Sequence, residues 1–237
     1  MNWLTLLRAP ALAAGWAVAL AAALSEPAQA ATETRSVADF DEVVFAVAGE
    51  VSIEQGPRET LTLDAEPAVL RKITTEVHDR RLLIGLVPGR VETQQPIRIK
   101  LGVRTLRAFE SRTAGAISIG PLRSDALALV LAGGGSIRLD RLENARSLDV
   151  RITGAGEVAV GGGKVVAQRL AIAGMGTYSA PKLASERAEV AIDGNGEAQL
   201  AASATLAVRI GGVGHVRYRG DPAVTRSIRG IGTIEKD

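Results

Sequence analysis

One stretch of this chain, Leu148–Val160 (LDVRITGAGEVAV), recurs along its length and limits what the chain can fold into. Leu148, Val150 and Ile152 alternate with small or polar residues, Gly154 and Gly156 follow, and alternation resumes at Val158 and Val160. The same frame fits Leu127–Leu139, Ile172–Tyr178, Ile192–Leu200, Ile210–Tyr218 and Ile228–Ile234. A degenerate copy, with Thr113 at the first glycine position, covers Phe109–Ile119. The second glycines fall at 115, 135, 156, 176, 196, 214 and 232, spaced by 18 to 21 residues. Self-similarity at that period means a stack of like units, each burying its face on the next.

Alternation at period two predicts strands. Three aliphatic columns result if copies lie side by side, about 4.8 Å apart. One holds Leu131, Ile152, Ile172, Ile192, Ile210 and Ile228. The second runs through Leu129, Val150, Leu170, Val190 and Val208 and is broken by Arg226. The third holds Ile117, Ile137, Val158, Tyr178, Ala198, Val216 and Ile234. The period is too short for strand–helix–strand, which needs roughly 30 residues or more. It suits coils of two or three short strands joined at tight corners, and glycine serves corners because it lacks Cβ and tolerates φ > 0. Gly176 and Gly196 are expected to be such corners, outward-facing Met175 and Asn195 to be tolerant neighbours.

Ahead of the repeats, Met1–Ala30 reads as a signal peptide. Arg8 supplies the positive charge, Ala11–Leu24 the apolar run, and Ala28-Gln29-Ala30 the small-residue cleavage motif. The mature chain is expected to begin at Ala31, without Trp3 and Trp16, and to touch the membrane only through this segment before cleavage. The chain holds no cysteine, hence neither a disulfide nor a thiol to acylate. Residues 31–35 read as a polar leader, and residues 36–237 as one domain. Within it, Phe40–Gln55 alternates as strand, Leu61 and Leu63 continue as another, and Ala65–Ile73 leaves room for one helical turn. Thr74–His78 and Leu82–Leu86 suggest a hairpin around Asp79-Arg80, Pro88–Pro96 a loop, and Ile97–Val103 a strand. Lacking the Gly-x-Gly frame, this half reads as the atypical end that caps a repeat stack. At the other end, Arg226 and Lys236 replace column residues, and charge at a last rung blunts an edge open to pairing.

These features together resemble the auto-transporter adhesin head GIN domain family over about residues 36–237. The resemblance rests on Phe40-Asp41-Glu42-Val43, on Val51–Gly56, and on the repeated alternation through Gly-x-Gly. It implies a right-handed parallel β-helix of about 18–21 residues per coil, export by a bacterium to the periplasm or beyond, and an adhesin-like or structural role. It carries over no catalytic residues. Where members often show Ser-Gly-Ser-Gly at the corner, this chain has Thr153-Gly154-Ala155-Gly156 and looser variants, a more apolar corner.

The residues point away from most chemistry. The 28 basic and 26 acidic residues nearly balance, which does not suit a nucleic-acid binder. His78 and His215 stand in unrelated frames, so no metal-ligand spacing exists, and His215 is expected on the surface. No G-x-S-x-G elbow is present. Gly161-Gly162-Gly163-Lys164 runs into Val165 and lacks the upstream glycine of a phosphate loop. Gly133-Gly134-Gly135 lacks the Asp of calcium-binding nonapeptides. No catalytic, cofactor-binding or metal residue is therefore assigned.

The outward positions say more. Asp149, Arg169 and Glu189 stand at one frame position on adjacent copies, predicting an alternating charge ladder. Beside them run small residues, with Val130, Arg151, Ala171 and Ala191 in one row and Ala132, Thr153 and Ala173 in the next. Such a flat face suits docking of a cell-surface glycan or another envelope protein. The expected function is therefore non-enzymatic binding, and the alternative is a polysaccharide lyase or hydrolase, which needs two carboxylates set about 5–10 Å apart.

Overall fold

The computed structural model describes residues 30–89, 91 and 93–237. The expected leader Met1–Ala30, but for Ala30, lies outside the described residues. The repeats form a parallel β-solenoid flattened between two eleven-stranded sheets. Each coil places one strand in the first sheet, turns at the Gly-x-Gly corner, and places the next in the second. Thus Leu142–Ile152 leads to Ala155–Val160, Gly163–Ile172 to Met175–Ala180, and Leu183–Ile192 to Asn195–Ala201. Thr205–Ile210 then leads to Val213–Arg219, and Ala223–Ile228 to Ile231–Lys236. The register holds from coil to coil: Ile152 pairs with Ile172, Ile172 with Ile192 and Ile192 with Ile210. Leu129, Val150, Leu170, Val190 and Val208 stack likewise, as do Ile117, Ile137, Val158, Tyr178 and Ala198. All these column residues are buried, so the core is the space between the sheets.

Glycine does two jobs at the corner. A Cβ on the first glycine of a copy would strike backbone of the previous coil. At Gly174 it would sit 2.0 Å from Gly154 O and 2.5 Å from Thr153 O. The second glycine differs from coil to coil. Gly135 has φ +98°, a conformation only glycine adopts cheaply. Gly176 and Gly196, expected from the sequence as special corners, are not in that region; a Cβ there would instead press on Ile152 or Ile172 of the preceding coil. Met175 and Asn195 between them are exposed, as expected.

The N-terminal half caps the stack. Glu42–Phe45 and Gly49–Gln55 form an initial coil whose Gly49 pairs with Gly115, Phe45 with Ser111 and Val51 with Ile117. The chain then leaves the solenoid. Thr60–Ala65 pairs antiparallel with Arg98–Val103, and Pro67–Leu70 makes the expected helical turn. Ile73–His78 and Arg81–Leu86 form the hairpin, with Asp79 and Arg80 both at positive φ as a two-residue hairpin turn demands. Ala31–Arg35, expected as a leader, is a strand antiparallel to Thr60–Ala65. Arg35 ties it down by donating to Ile73 O at 2.6 Å and Leu70 O at 2.8 Å.

One polar cluster interrupts the aliphatic core. Gln168 takes an inward position that Leu148 and Ala188 hold on the adjacent coils. Its amide donates to Ser185 Oγ (2.8 Å) and Ala201 O (3.0 Å), and its Oε1 accepts from the Tyr178 hydroxyl at 3.0 Å. Every group has a partner, so the cluster is tolerated in a dry interior. Burial pushes the Tyr178 hydroxyl above its ordinary value. Tyr178→Phe leaves Gln168 Oε1 buried without a donor and is expected to cost about 1–3 kcal/mol, read as a fall in the urea midpoint. The folded state holds this proton more tightly than the unfolded state. The contribution is therefore intact below about pH 10, the ordinary tyrosine value, and is lost as pH rises through the folded value. The wild type should lose stability more steeply than the variant above that pH; parallel curves would remove Tyr178 from the alkaline response.

Candidate binding faces

The outer face of the first sheet carries the charge ladder. Asp149 pairs in register with Arg169, and Arg169 with Glu189. The Arg169 guanidinium lies 3.4 Å from Asp149 Oδ1 and 3.5 Å from Glu189 Oε2, bridging both carboxylates. All three side chains are substantially exposed, so the ladder contributes about 0–1 kcal/mol per pair. Asp149 and Glu189 stand two coils apart, about 10 Å between backbones. That approaches the spacing of an inverting glycosidase. The guanidinium, however, fills the gap where such an enzyme keeps its water.

Beside the ladder the neighbouring row drops from Arg151 to Ala171 and Ala191 and rises again at Arg209. With Ala207 these methyls floor a concavity of about 450 Å³ that runs on to Thr225 and Ser227. Arg209 is tied to Asp193 at 3.1 Å, whereas the exposed Arg151 side chain has no hydrogen bond or ion pair among the described residues. Strand alternation turns Leu170, Val190 and Val208 inward, and Ala171, Ala191 and Ala207 stand at outward positions beside them.

A second hollow, of about 570 Å³, follows the corners of the other sheet. Its ridge is the corner row of Met175, Asn195, Val213 and Ile231, paired coil to coil. Met175 is 64% and Ile231 74% exposed, and Val213 is also exposed. His215 lines this hollow, with Nδ1 paired to the Thr233 hydroxyl and Nε2 3.9 Å from Glu235. His78 is far out on the hairpin, 3.8 Å from Asp79. Among the described residues no group of three or more His, Asp or Glu is placed to hold a metal ion.

The sequence reading anticipated the ladder and the small-residue face but missed the N-terminal charge network, whose members lie far apart along the chain. Asp41, 3% exposed, accepts from Arg80 Nη2 at 2.7 Å and Nε at 3.2 Å, and forms an ion pair with Arg107, whose Nε lies 2.8 Å away. The Asp41 bond and charge raise the Arg80 guanidinium above its ordinary value. The sequence signal for Asp41 was its place in Phe40-Asp41-Glu42-Val43, an acid set among apolar residues. Among the described residues no Phe or Tyr ring serves either face: Phe40, Phe45, Phe109, Tyr178 and Tyr218 are all buried.

Residues 39–222 match the sequence profile of the family described as "Putative auto-transporter adhesin, head GIN domain". No curated protein matches the chain. Among solved structures, a putative adhesin from Bacteroides fragilis NCTC 9343 superposes with TM-score 0.82 at 21% identity, covering 88% of this chain and 97% of the other. A putative adhesin from Parabacteroides distasonis ATCC 8503 gives 0.68 at 23% identity, with coverage of 88% and 97%. A putative lipid binding protein from the same strain gives 0.64 at 22%, again covering 88% and 97%. At these identities the likeness is one of fold.

Proposed function

Because this chain belongs to the auto-transporter adhesin head GIN domain family, we propose that it is an exported, non-enzymatic β-solenoid. It binds a partner at the bacterial envelope or outside the cell, through the outer face of the first sheet. The observation that carries this reading is the alanine-floored concavity between Arg151 and Arg209, a large hollow lined mainly by apolar atoms with a few charged groups at its rim. Export rests on the leader motif of Met1–Ala30. The absence of an exposed Phe, Tyr or Trp ring among the described residues turns the reading away from neutral sugars, which stack on such rings, and toward an envelope protein.

Ala191→Arg fills the floor without touching the core. Material recovered from the exported fraction, with its N-terminus at Ala31, is the sample to use. The variant should keep its stability within about 0.5 kcal/mol and lose about tenfold or more in affinity for isolated envelope fractions. Unchanged binding would move the site elsewhere. Release of reducing ends or unsaturated uronates from a polysaccharide panel would replace this reading with that of a lyase or hydrolase.

A further inference from the structure

We propose that the last rung of the solenoid is a latent docking surface for a second copy of this chain, and that Arg226 holds it closed. This rests on the end of the stack and is independent of the reading of the sheet face. Ala223–Ile228 and Ile231–Lys236 are the outermost strands of the two sheets, each paired on one side only. Two six-residue edges therefore lie together with unpaired backbone groups, the usual template for adding another strand. Between them the column residues surface: Ile228 is 44% exposed, and Val224 is only partly buried.

A second copy supplies the same pair of edges. Related by a two-fold axis across the coil direction, its strands meet these antiparallel. The fold already uses such pairing at its other end, where Thr60–Ala65 joins Arg98–Val103. With the axis passing through Arg226, that residue meets its own counterpart and Val224 meets Ile228, so Arg226 decides the outcome. It pairs in register with Val208, in the column of Leu129, Val150, Leu170 and Val190. It is exposed and has no hydrogen bond or ion pair among the described residues. The acids of the last coil face other groups, Asp221 paired with Lys236 at 2.5 Å, Asp237 with Arg219 at 3.5 Å, and Glu235 lying 3.9 Å from His215. Closing the joint would bring two unpaired guanidiniums into a low-dielectric space, a cost that edge pairing does not recover. An inward-turned charge on an edge strand is a recognised guard against such pairing.

The test is the mass in solution of the full chain across a concentration series, with circular dichroism to confirm folding. The wild type should run as a monomer. Arg226→Val, which completes the column, should run as a dimer, its dissociation constant lower by at least about tenfold. Adding Ile228→Asp to that variant should restore the monomer, placing the contact at the end rung. An equimolar mixture of wild type and the R226E chain should form a one-to-one dimer that neither forms alone. A folded R226V chain that stays monomeric would overturn the proposal, and so would an R226V dimer that Ile228→Asp leaves intact.

Discussion

Gly174→Ala is expected to cost about 3 kcal/mol, the upper end for overpacking, although it adds one methyl group. The added Cβ would lie 2.0 Å from Gly154 O, and that carbonyl cannot step aside because it accepts the Met175 N–H at 3.0 Å. Relief requires two coils to separate and break the corner ladder. The same contact recurs at Gly194, Gly212 and Gly230, each against a glycine carbonyl one coil back at 1.9–2.1 Å, so the strain cannot be passed along the stack. Gly176→Ala meets a side chain instead, Ile152 Cγ2 at 2.6 Å, and should cost about 1–2 kcal/mol. Met175→Ala, at an exposed position, should stay within about 0.5 kcal/mol. At about 2–4 °C per kcal/mol for a domain of this size, thermal melts separate the three. Equal shifts at residues 174 and 175 would show that close approach of the coils is not what reserves the first position for glycine.

Asp41→Ala is the second large effect, with an expected loss of about 2 kcal/mol. Two charge-assisted hydrogen bonds from Arg80 and an ion pair with Arg107 converge on Oδ2, tying the hairpin turn through Arg80 and the approach to Ala108–Ser111 through Arg107. Such bonds contribute about 1.5–3 kcal/mol each in favourable settings. Here they share one acceptor, Oδ1 is buried without a hydrogen-bond partner among the described residues, and both guanidiniums rehydrate when released, so the net loss is smaller than their sum. Arg81→Ala is the control. It breaks the neighbouring Arg81–Glu42 pair at 2.8 Å, whose arginine is exposed, and should cost less than about 1 kcal/mol. Urea unfolding of both variants measures the difference. If Asp41→Ala costs no more than Arg81→Ala, the network does not anchor the cap.

These predictions divide along the line between what is local in the chain and what is not. The sequence by itself determined the columns, the corners and the ladder. Alternation at period two assigns each residue to a face, and a repeat of constant register carries that assignment from Ile152 to Ile172 to Ile192. The same logic set Asp149, Arg169 and Glu189 in line. It reached even the first coil in principle, since Val43, Phe45, Gly49, Val51 and Ile53 fit the frame. The match is masked because residues 56–107 are inserted before the next coil at Ala108–Ile119.

Only the tertiary structure decided the rest. Which glycine needs positive φ and which needs an absent Cβ depends on how closely the preceding coil approaches, a distance that no single copy encodes. Asp41 meets Arg80 and Arg107, and Gln168 meets Tyr178, because separate segments converge across the cap or across the core. Likewise the drop from Arg151 to the alanine floor becomes a hollow only once five coils stand side by side. Periodicity specifies the direction in which a side chain points; packing between segments distant in sequence specifies what it meets there.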